Sequence, residues 1–470
     1  MLLSTIIQFF LFTLILGAPA TVQVPTDDPF YTPPSDLENY KLGDIINIRP
    51  APAQIRSVYF TVKIKNTWQV LVRSEDSFGN ANAIVTTIFE PFNADPSKLV
   101  SYQVAQDSAE VNCSPSYAFM NGLGLRTVSS QAEMFLIQTA LDQGYYVVSP
   151  DFQGLKSAFT AGIQAGHAVL DSIRAALNSK DDTGINSDAA TIIWGYSGGS
   201  LAGGWAAALQ PNYAPELKSN LKGVALGGWV TNITATVTYE PVVNGGLFAG
   251  LGAAGIAGLS NEYPDLYEYL KTAMYEDKYE KFTQAYDQCL IDTIPTFILN
   301  NYFTGPNKYF KDGLGALTEE PIATILANNT LGLIPENMPE IPVFVYHGKI
   351  DGIVPFNQAE RVYDIWCDAG ISSLEFNADA TAGHISEIIQ GSGAAFAWIQ
   401  KIFNGGSPVN GCKTTTRVSN LLYPGTDLFI GNFLNSLFNN IFGMNIGPNG
   451  ENLVLQNNQL ISEQNATSSA

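Results

Sequence analysis

The stretch Ala189-Ala190-Thr191-Ile192-Ile193-Trp194-Gly195-Tyr196-Ser197-Gly198-Gly199 is an apolar run that breaks into glycines around one serine. It reads as strand, sharp turn, helix, with Ser197 at the apex. Such a nucleophile elbow projects a hydroxyl above the end of a sheet. Glycines flank the serine because the backbone passes close to neighbouring elements, where a side chain would clash. By itself the pattern decides little: one serine and two glycines at this spacing arise by chance about 0.3 times in a chain this long.

The surroundings supply what the motif lacks. Trp68–Val72, Ala83–Glu90, Leu99–Gln103 and Tyr145–Ser149 read as strands, as does the alternating Ser57–Ile64. Ser130–Gln143 and Ala161–Asn178 have helical spacing. Alternating strands and helices imply a mostly parallel sheet with flanking helices, an α/β-hydrolase core. Residues 21–55 are rich in Pro and Asp and should wrap the surface. Val224–Trp229 resumes the core pattern. From 232 to 335 the character changes: Gly245–Leu259 has no charge, and Asn261–Tyr286 is helical and rich in tyrosine. This segment reads as a cap inserted between a first core part, 21–231, and a second, 336–411. Pro342–His347 and Ser373–Asn377 are the returning strands, and Ala394–Phe403 the following helix.

A net charge of −20 leaves no basic face for nucleic acid. With 46% hydrophobic and 14% charged residues the bulk of the chain should fold. Residues 1–20 read as a secretory signal: Leu2–Leu16 is an apolar core and Ala18-Pro19-Ala20 a small-x-small cleavage site. The stretch is short for a membrane span, so no transmembrane anchor is expected. A secreted chain with four cysteines suggests two disulfides in one of three pairings. Cys113–Cys289 with Cys367–Cys412 is favoured, the second tying the last core elements to the C-terminal segment; buried free thiols are the alternative. Asn232 and Asn328 open plausible glycosylation sequons, whereas Asn112 abuts Cys113.

A serine hydroxyl needs a positioned base, and the base an orienting acid, in the chain order Ser, Asp/Glu, His. The chain has three histidines. His167 precedes the serine and fails the order test. His347 ends a strand and leaves no room for an acid before it. His384, in a small-residue loop after the last core strand, passes. Asp351 follows the strand Val343–His347 in a tight loop, where ligands meet an open parallel sheet. Asp364 and Asp368 lie on a helix, and Asp379 is too close to His384. An oxyanion hole needs backbone N–H donors. Gly198 supplies one by geometry, and Gln106-Asp107-Ser108 is the candidate segment for the second. Scattered histidines and paired cysteines offer no metal-ligand spacing, and no phosphate cradle appears, so neither metal nor cofactor is expected.

Here the residues become specific. Ser101-Tyr102-Gln103, Asp107-Ser108, Cys113-Ser114-Pro115-Ser116-Tyr117, the 195–199 elbow, Tyr346-His347-Gly348 with Asp351, and Gly383-His384 resemble the fungal secretory lipase family. That group contains the Candida secreted lipases and lipase A of Candida antarctica. The resemblance spans the mature chain to about residue 450. It implies Ser197, Asp351 and His384 as a triad and the amides of Asp107 and Gly198 as the oxyanion hole. It also implies an acyl tunnel under the cap and a C-terminal flap over 412–450. The polar tail 451–470 matches nothing in the family.

The uncharged Gly245–Leu259 and the apolar Leu428–Phe442 suit surfaces that meet aliphatic chains, although each could equally be a buried helix. Together with the serine site they favour a lipidic substrate over a peptide. The expectation is a secreted, monomeric serine lipase acting on triacylglycerols at an oil–water or membrane interface, with water or an alcohol accepting the acyl group. An esterase for soluble short-chain esters, a serine peptidase and a non-catalytic surface protein are the alternatives.

Overall fold

The computed structural model describes residues 22–58, 60–120 and 124–448. The expected signal segment at 1–20 and the tail at 451–470 lie outside the described residues. A ten-stranded sheet carries the molecule. Its strands in chain order are β1 (Ile45–Pro50), β2 (Asn66–Glu75), β3 (Ala81–Glu90), β4 (Asp95–Gln103), β5 (Tyr145–Pro150), β6 (Ala190–Tyr196), β7 (Leu221–Gly227), β8 (Val343–Gly348), β9 (Ser373–Asp379) and β10 (Gly411–Arg417). In space they run β1-β2-β3-β5-β4-β6-β7-β8-β9-β10. The pairs β1/β2, β2/β3 and β3/β5 are antiparallel. Every pair from β5 to β10 is parallel. This is the α/β-hydrolase architecture that the alternation of elements implies. The central strands read as unbroken apolar runs because helices cover both faces.

On one face lie α2 (Gly162–Asn178), α3 (Gly198–Tyr213) and α5 (Phe356–Asp368), packed through Ala168, Trp205 and Trp366. On the other lie α1 (Val128–Leu141), α7 (Ser392–Phe403) and α8 (Thr426–Phe442), packed through Met134, Trp398 and Phe429. The cap occupies the connection between β7 and β8. Its longest helix, α4 (Ala249–Glu262), forms from the uncharged glycine-rich run. The helix that carries His384, α6 (His384–Gln390), follows β9.

Four local expectations change. Ser57–Ile64 is no long strand: Val58 turns in the left-handed region, leaving only the pairs Arg56–Ser57 and Phe60–Thr61. Part of the Pro-rich segment 21–55 joins the sheet as the edge strand β1, where its terminal Pro50 is tolerated. The Asn261–Tyr286 helix breaks before Pro264, whose nitrogen has no hydrogen to give a helical bond, and again at Met274 and Tyr275, which are both extended. The segment 412–450 opens with a sheet strand, β10, before the chain reaches α8.

The structure joins Cys113 to Cys289 and Cys367 to Cys412. The first ties the loop before α1 to the cap. The second ties the end of α5 to the edge strand β10. Asn328 is exposed at a helix end, whereas the Asn232 amide already donates to Gln358 (3.0 Å). No helix among the described residues is long and apolar enough to cross a membrane.

Several carboxyls are buried within this frame. Burial raises Asp171 to about 6, Asp142 and Asp151 to about 7, Glu133 to about 8 and Glu387 to about 9. Each contributes stability that is complete below its unfolded value near 4 and drains away as pH rises through the folded value. His167 acts in the opposite sense: burial lowers it from 6.5 to about 4, so its contribution is lost only on the acid side. The thermal midpoint is therefore expected to fall from pH 6.5 to 9, where the raised carboxyls lose their protons. A flat or rising midpoint across that window would contradict the assignment.

The Cys367–Cys412 bridge closes a loop of 45 residues. Chain entropy puts the loss on replacing both cysteines by alanine at about 4 kcal/mol, a drop in thermal midpoint of about 5 °C. Scanning calorimetry of the double variant under non-reducing conditions checks this value.

Candidate active site

The elbow forms because three backbone segments meet where only glycine fits. A Cβ on Gly195 would lie 2.4 Å from the Gly199 carbonyl oxygen, and one on Gly199 would lie 2.0 Å from the Gln103 carbonyl oxygen at the end of β4. Ser197 takes the left-handed conformation, φ 52°, and its N–H donates to the Gly227 carbonyl at the end of β7 (2.9 Å). A non-glycine residue held there stores strain, which the surrounding sheet must hold in place.

The structure brings Ser197, His384 and Asp351 together from the ends of three strands. His384 Nε2 lies 2.8 Å from Ser197 Oγ, and its Nδ1 lies 2.7 Å from Asp351 Oδ2. The other Asp351 oxygen accepts the N–H groups of Ile353 and Val354, both at 2.8 Å. Burial opposes the charge on Asp351, but His384 and His347 together hold its carboxyl well below the usual range. It is a fixed anion, able to orient the imidazole through Nδ1 and to stabilise the cation that forms when Nε2 takes a proton.

The rejected candidates sit elsewhere. His167 is buried and stacked on Tyr213 (3.9 Å between ring centres). Asp364 and Asp368 are exposed on α5. Asp379 caps the turn before His384 by accepting from Thr381 and Ala382 N–H, both at 2.9 Å.

His347 plays a part that order along the chain hides. It is fully buried, and its Nδ1 accepts from Trp229 N–H (3.1 Å). The proton therefore lies on Nε2, which faces the Val354 carbonyl and stands 3.3 Å from Asp351 Oδ2. Asp351 is thus braced from two sides. Tyr196 is a second such residue: its hydroxyl donates to the His384 carbonyl (2.6 Å). The only sequence signal for either is adjacency to a motif.

Asp107 stands across from the elbow in the left-handed region, φ 49°. A Cβ on Gly198 would meet Asp107 Oδ1 at 2.0 Å. Burial raises this carboxyl to about 7, against the pull of His384. The Asp107 N–H lies 3.2 Å from the Gln153 side-chain oxygen, in the orientation the neighbours of that amide require. The Gly198 N–H opens the first turn of α3, where the helix leaves its leading donors free for a negative charge.

Two apolar spaces meet at Ser197. One runs under the cap between Leu201, Val237, Leu251, Ile256 and Leu259, with Gly252 and Gly255 also lining it. The other is an open cleft walled by Phe248, Ile385, Ile389, Phe429, Phe433 and Leu434. Among the described residues no cluster of His, Cys, Asp and Glu could hold a metal ion.

Comparison with known proteins agrees with this picture. Residues 120–411 match the secretory lipase family model. Lipase 1 of Candida albicans is 49% identical over 437 residues, 93% of either chain. Lipase 5 of the same organism is 50% identical over 424 residues, 90% of either chain. The crystal structure of Candida antarctica lipase A in its closed state superposes with a TM-score of 0.77 at 32% identity, covering 91% of this chain and 99% of that one. A rice cell wall degrading esterase from Xanthomonas oryzae shares the fold alone, at 14% identity and a TM-score of 0.60. Half-identity sustained over nine-tenths of the length, on a common sheet, leaves one conclusion: the chain belongs to the secretory lipase family and is a lipase.

Proposed function

We propose that the chain is a secreted serine lipase that hydrolyses long-chain triacylglycerols through an acyl-enzyme. The observation that carries this reading is the Ser197–His384–Asp351 hydrogen-bond chain at the junction of two apolar spaces. Ser197 Oγ attacks the ester carbonyl while its proton passes to His384 Nε2. The negative charge on the tetrahedral oxygen meets the Gly198 amide and the Asp107 amide that Gln153 also engages. Collapse breaks the bond to the alcohol, which leaves with the proton from His384. Water, or an alcohol, then repeats the sequence on the acyl-enzyme and frees Ser197. The space under the cap suits the acyl chain, since its walls are mostly aliphatic. The open cleft suits the rest of the glyceride.

The outer rim favours lipid aggregates over soluble esters. Ile385 and Ile389, which line the cleft, and Phe438, Ile441 and Phe442 on α8, the helix whose Phe429, Phe433 and Leu434 line it, are all more than half exposed. An apolar patch of this kind on a chain of net charge −20 suits an uncharged lipid surface outside the cell.

Fatty-acid release from a long-chain triacylglycerol emulsion tests the reading. Ser197→Ala is expected to abolish it, and Asp351→Asn to lower kcat by about 10³–10⁴-fold by placing the His384 proton on the wrong nitrogen. Turnover of a soluble short ester alone, with none of the emulsion, would replace the lipase reading with that of a soluble-ester esterase. Phe438→Ser combined with Phe442→Ser is expected to slow the emulsion reaction by about ten-fold while the soluble ester is turned over as before. Equal loss on both substrates would remove the rim from the mechanism.

A further inference from the structure

We propose that Glu133 is a positioning residue for the oxyanion side of the site, fixing the turn between β4 and Asp107 from below. The inference rests on the reading of Ser197 as nucleophile and of the Asp107 and Gly198 amides as oxyanion donors.

Glu133 sits on α1 among Ala132, Phe135 and Leu136, which line the apolar cleft. A lone carboxyl on such a face is expensive to bury unless hydrogen bonds hold it. Here both oxygens are used. Oε1 accepts from the Ala105 N–H (2.9 Å) and Oε2 from the Tyr102 hydroxyl (2.8 Å). Tyr102 belongs to β4, and its ring stands edge-on against Trp194 of β6, 5.1 Å between centres. Ala105 lies two residues before Asp107. Glu133 therefore clamps both ends of the short turn Tyr102–Ala105 that leads into the left-handed Asp107.

The far side of the turn has its own ties. Gln106 Nε2 donates to Ser157 Oγ (2.7 Å), and the Ser108 hydroxyl to the Gln288 carbonyl in the cap (2.9 Å). Those bonds hold residues beyond Ala105 and leave the approach from β4 to Glu133. Asp107 occupies a conformation that a non-glycine residue keeps only when its surroundings over-determine it. Donors that must meet a developing charge work by being fixed before it appears. Burial, with the Asp107 carboxyl nearby, raises Glu133 to about 8, so near neutral pH its carboxyl holds a proton, the Oε1 carbonyl accepting from Ala105 and the Oε2 hydroxyl sharing a hydrogen bond with the Tyr102 hydroxyl. Glutamine can keep both contacts, its Oε1 accepting from Ala105 N–H and its Nε2 donating to the Tyr102 hydroxyl oxygen; alanine can keep neither.

The test is steady-state turnover of a soluble short-chain ester at pH 6.5 by wild type, Glu133→Ala, Glu133→Gln, Tyr102→Phe and Ser197→Ala. Glu133→Ala is expected to lose about ten-fold or more in kcat with KM within about two-fold, because the loss falls on the transition state. Glu133→Gln should recover kcat to within about three-fold of wild type. A folded Glu133→Ala with unchanged kcat overturns the proposal, as does equal loss in the alanine and glutamine variants. If Glu133→Ala does not fold, Tyr102→Phe decides: it removes one of the two bonds and should lower kcat without moving KM, and unchanged kcat overturns the proposal. Activity retained by Ser197→Ala would overturn the underlying reading of the site instead, so the two failures are distinguishable.

Discussion

A carbonyl oxygen of Gln103 occupies the position a side chain at residue 199 would need, and the carbonyl of Gly199 does the same to residue 195. These two contacts bring the end of β4, the apex of the elbow and the first turn of α3 into one cluster. The approach cannot relax without moving a strand at the centre of the sheet, since β4 lies between β5 and β6. Ser197 therefore keeps its strained conformation, and the opening N–H of α3 faces the same space as its hydroxyl. Asp107, arriving from β4, covers Gly198 because the third glycine leaves nothing in its way.

The opposite half of the site is built by parallel register. Gly348 of β8 pairs with Asp379 of β9, so the loops after both strands leave the sheet side by side. Asp351 emerges from the first loop and His384 from the second. Each is then fixed by groups that are not part of the hydrogen-bond chain to Ser197. Ile353, Val354 and His347 saturate the carboxylate, and Asp379 shapes the turn that presents the imidazole. A buried anion with this many donors has no reason to move, and its Oδ2, which His347 also approaches, is held within 2.7 Å of His384 Nδ1. Neighbouring strands thus deliver the groups, and short loops aim them.

What could be read from the sequence was whatever depends on nearby residues. The elbow is contiguous, so Gly195, Ser197 and Gly199 declare it; β6, β7 and β8 are buried on both faces and read as apolar runs. Asp351 and His384 follow their strands within a few residues, so chain order singles them out. His347, Tyr196 and Glu133 act through contacts across the sheet, and nothing adjacent to them in sequence marks the partner. β1 was hidden for a related reason: an edge strand needs no continuous apolar pattern, because one partner, β2, supplies all its ladder bonds. Val58 hid the opposite fact, since its left-handed turn breaks a segment whose alternation is strand-like.

The two apolar segments were ambiguous between core and lipid-facing surface, and they resolve differently. In α4 the glycines divide the work. Gly250 and Gly258 let the helix press on the backbones of Thr293 and Phe159, while Gly252 and Gly255 face the space under the cap. In α8 the usual orientation is reversed. Asn432, Asn435, Ser436, Asn439 and Asn440 are buried, while Leu434, Phe438, Ile441 and Phe442 are at least half exposed. An isolated amphipathic helix would turn the other way, since each large apolar side chain left in water forgoes about 2 kcal/mol. Part of that polar face has a partner inside: Asp142, at the end of α1, accepts from Ser436 and Asn435, and burial raises its carboxyl to about 7. Because that anchor specifies which face is buried, the apolar row stays exposed on the helix whose Phe429, Phe433 and Leu434 line the cleft. The cleft walled by Phe429, Phe433 and Leu434 reaches Ser197 and His384, so this one helix carries apolar side chains both into the cleft and out to solvent.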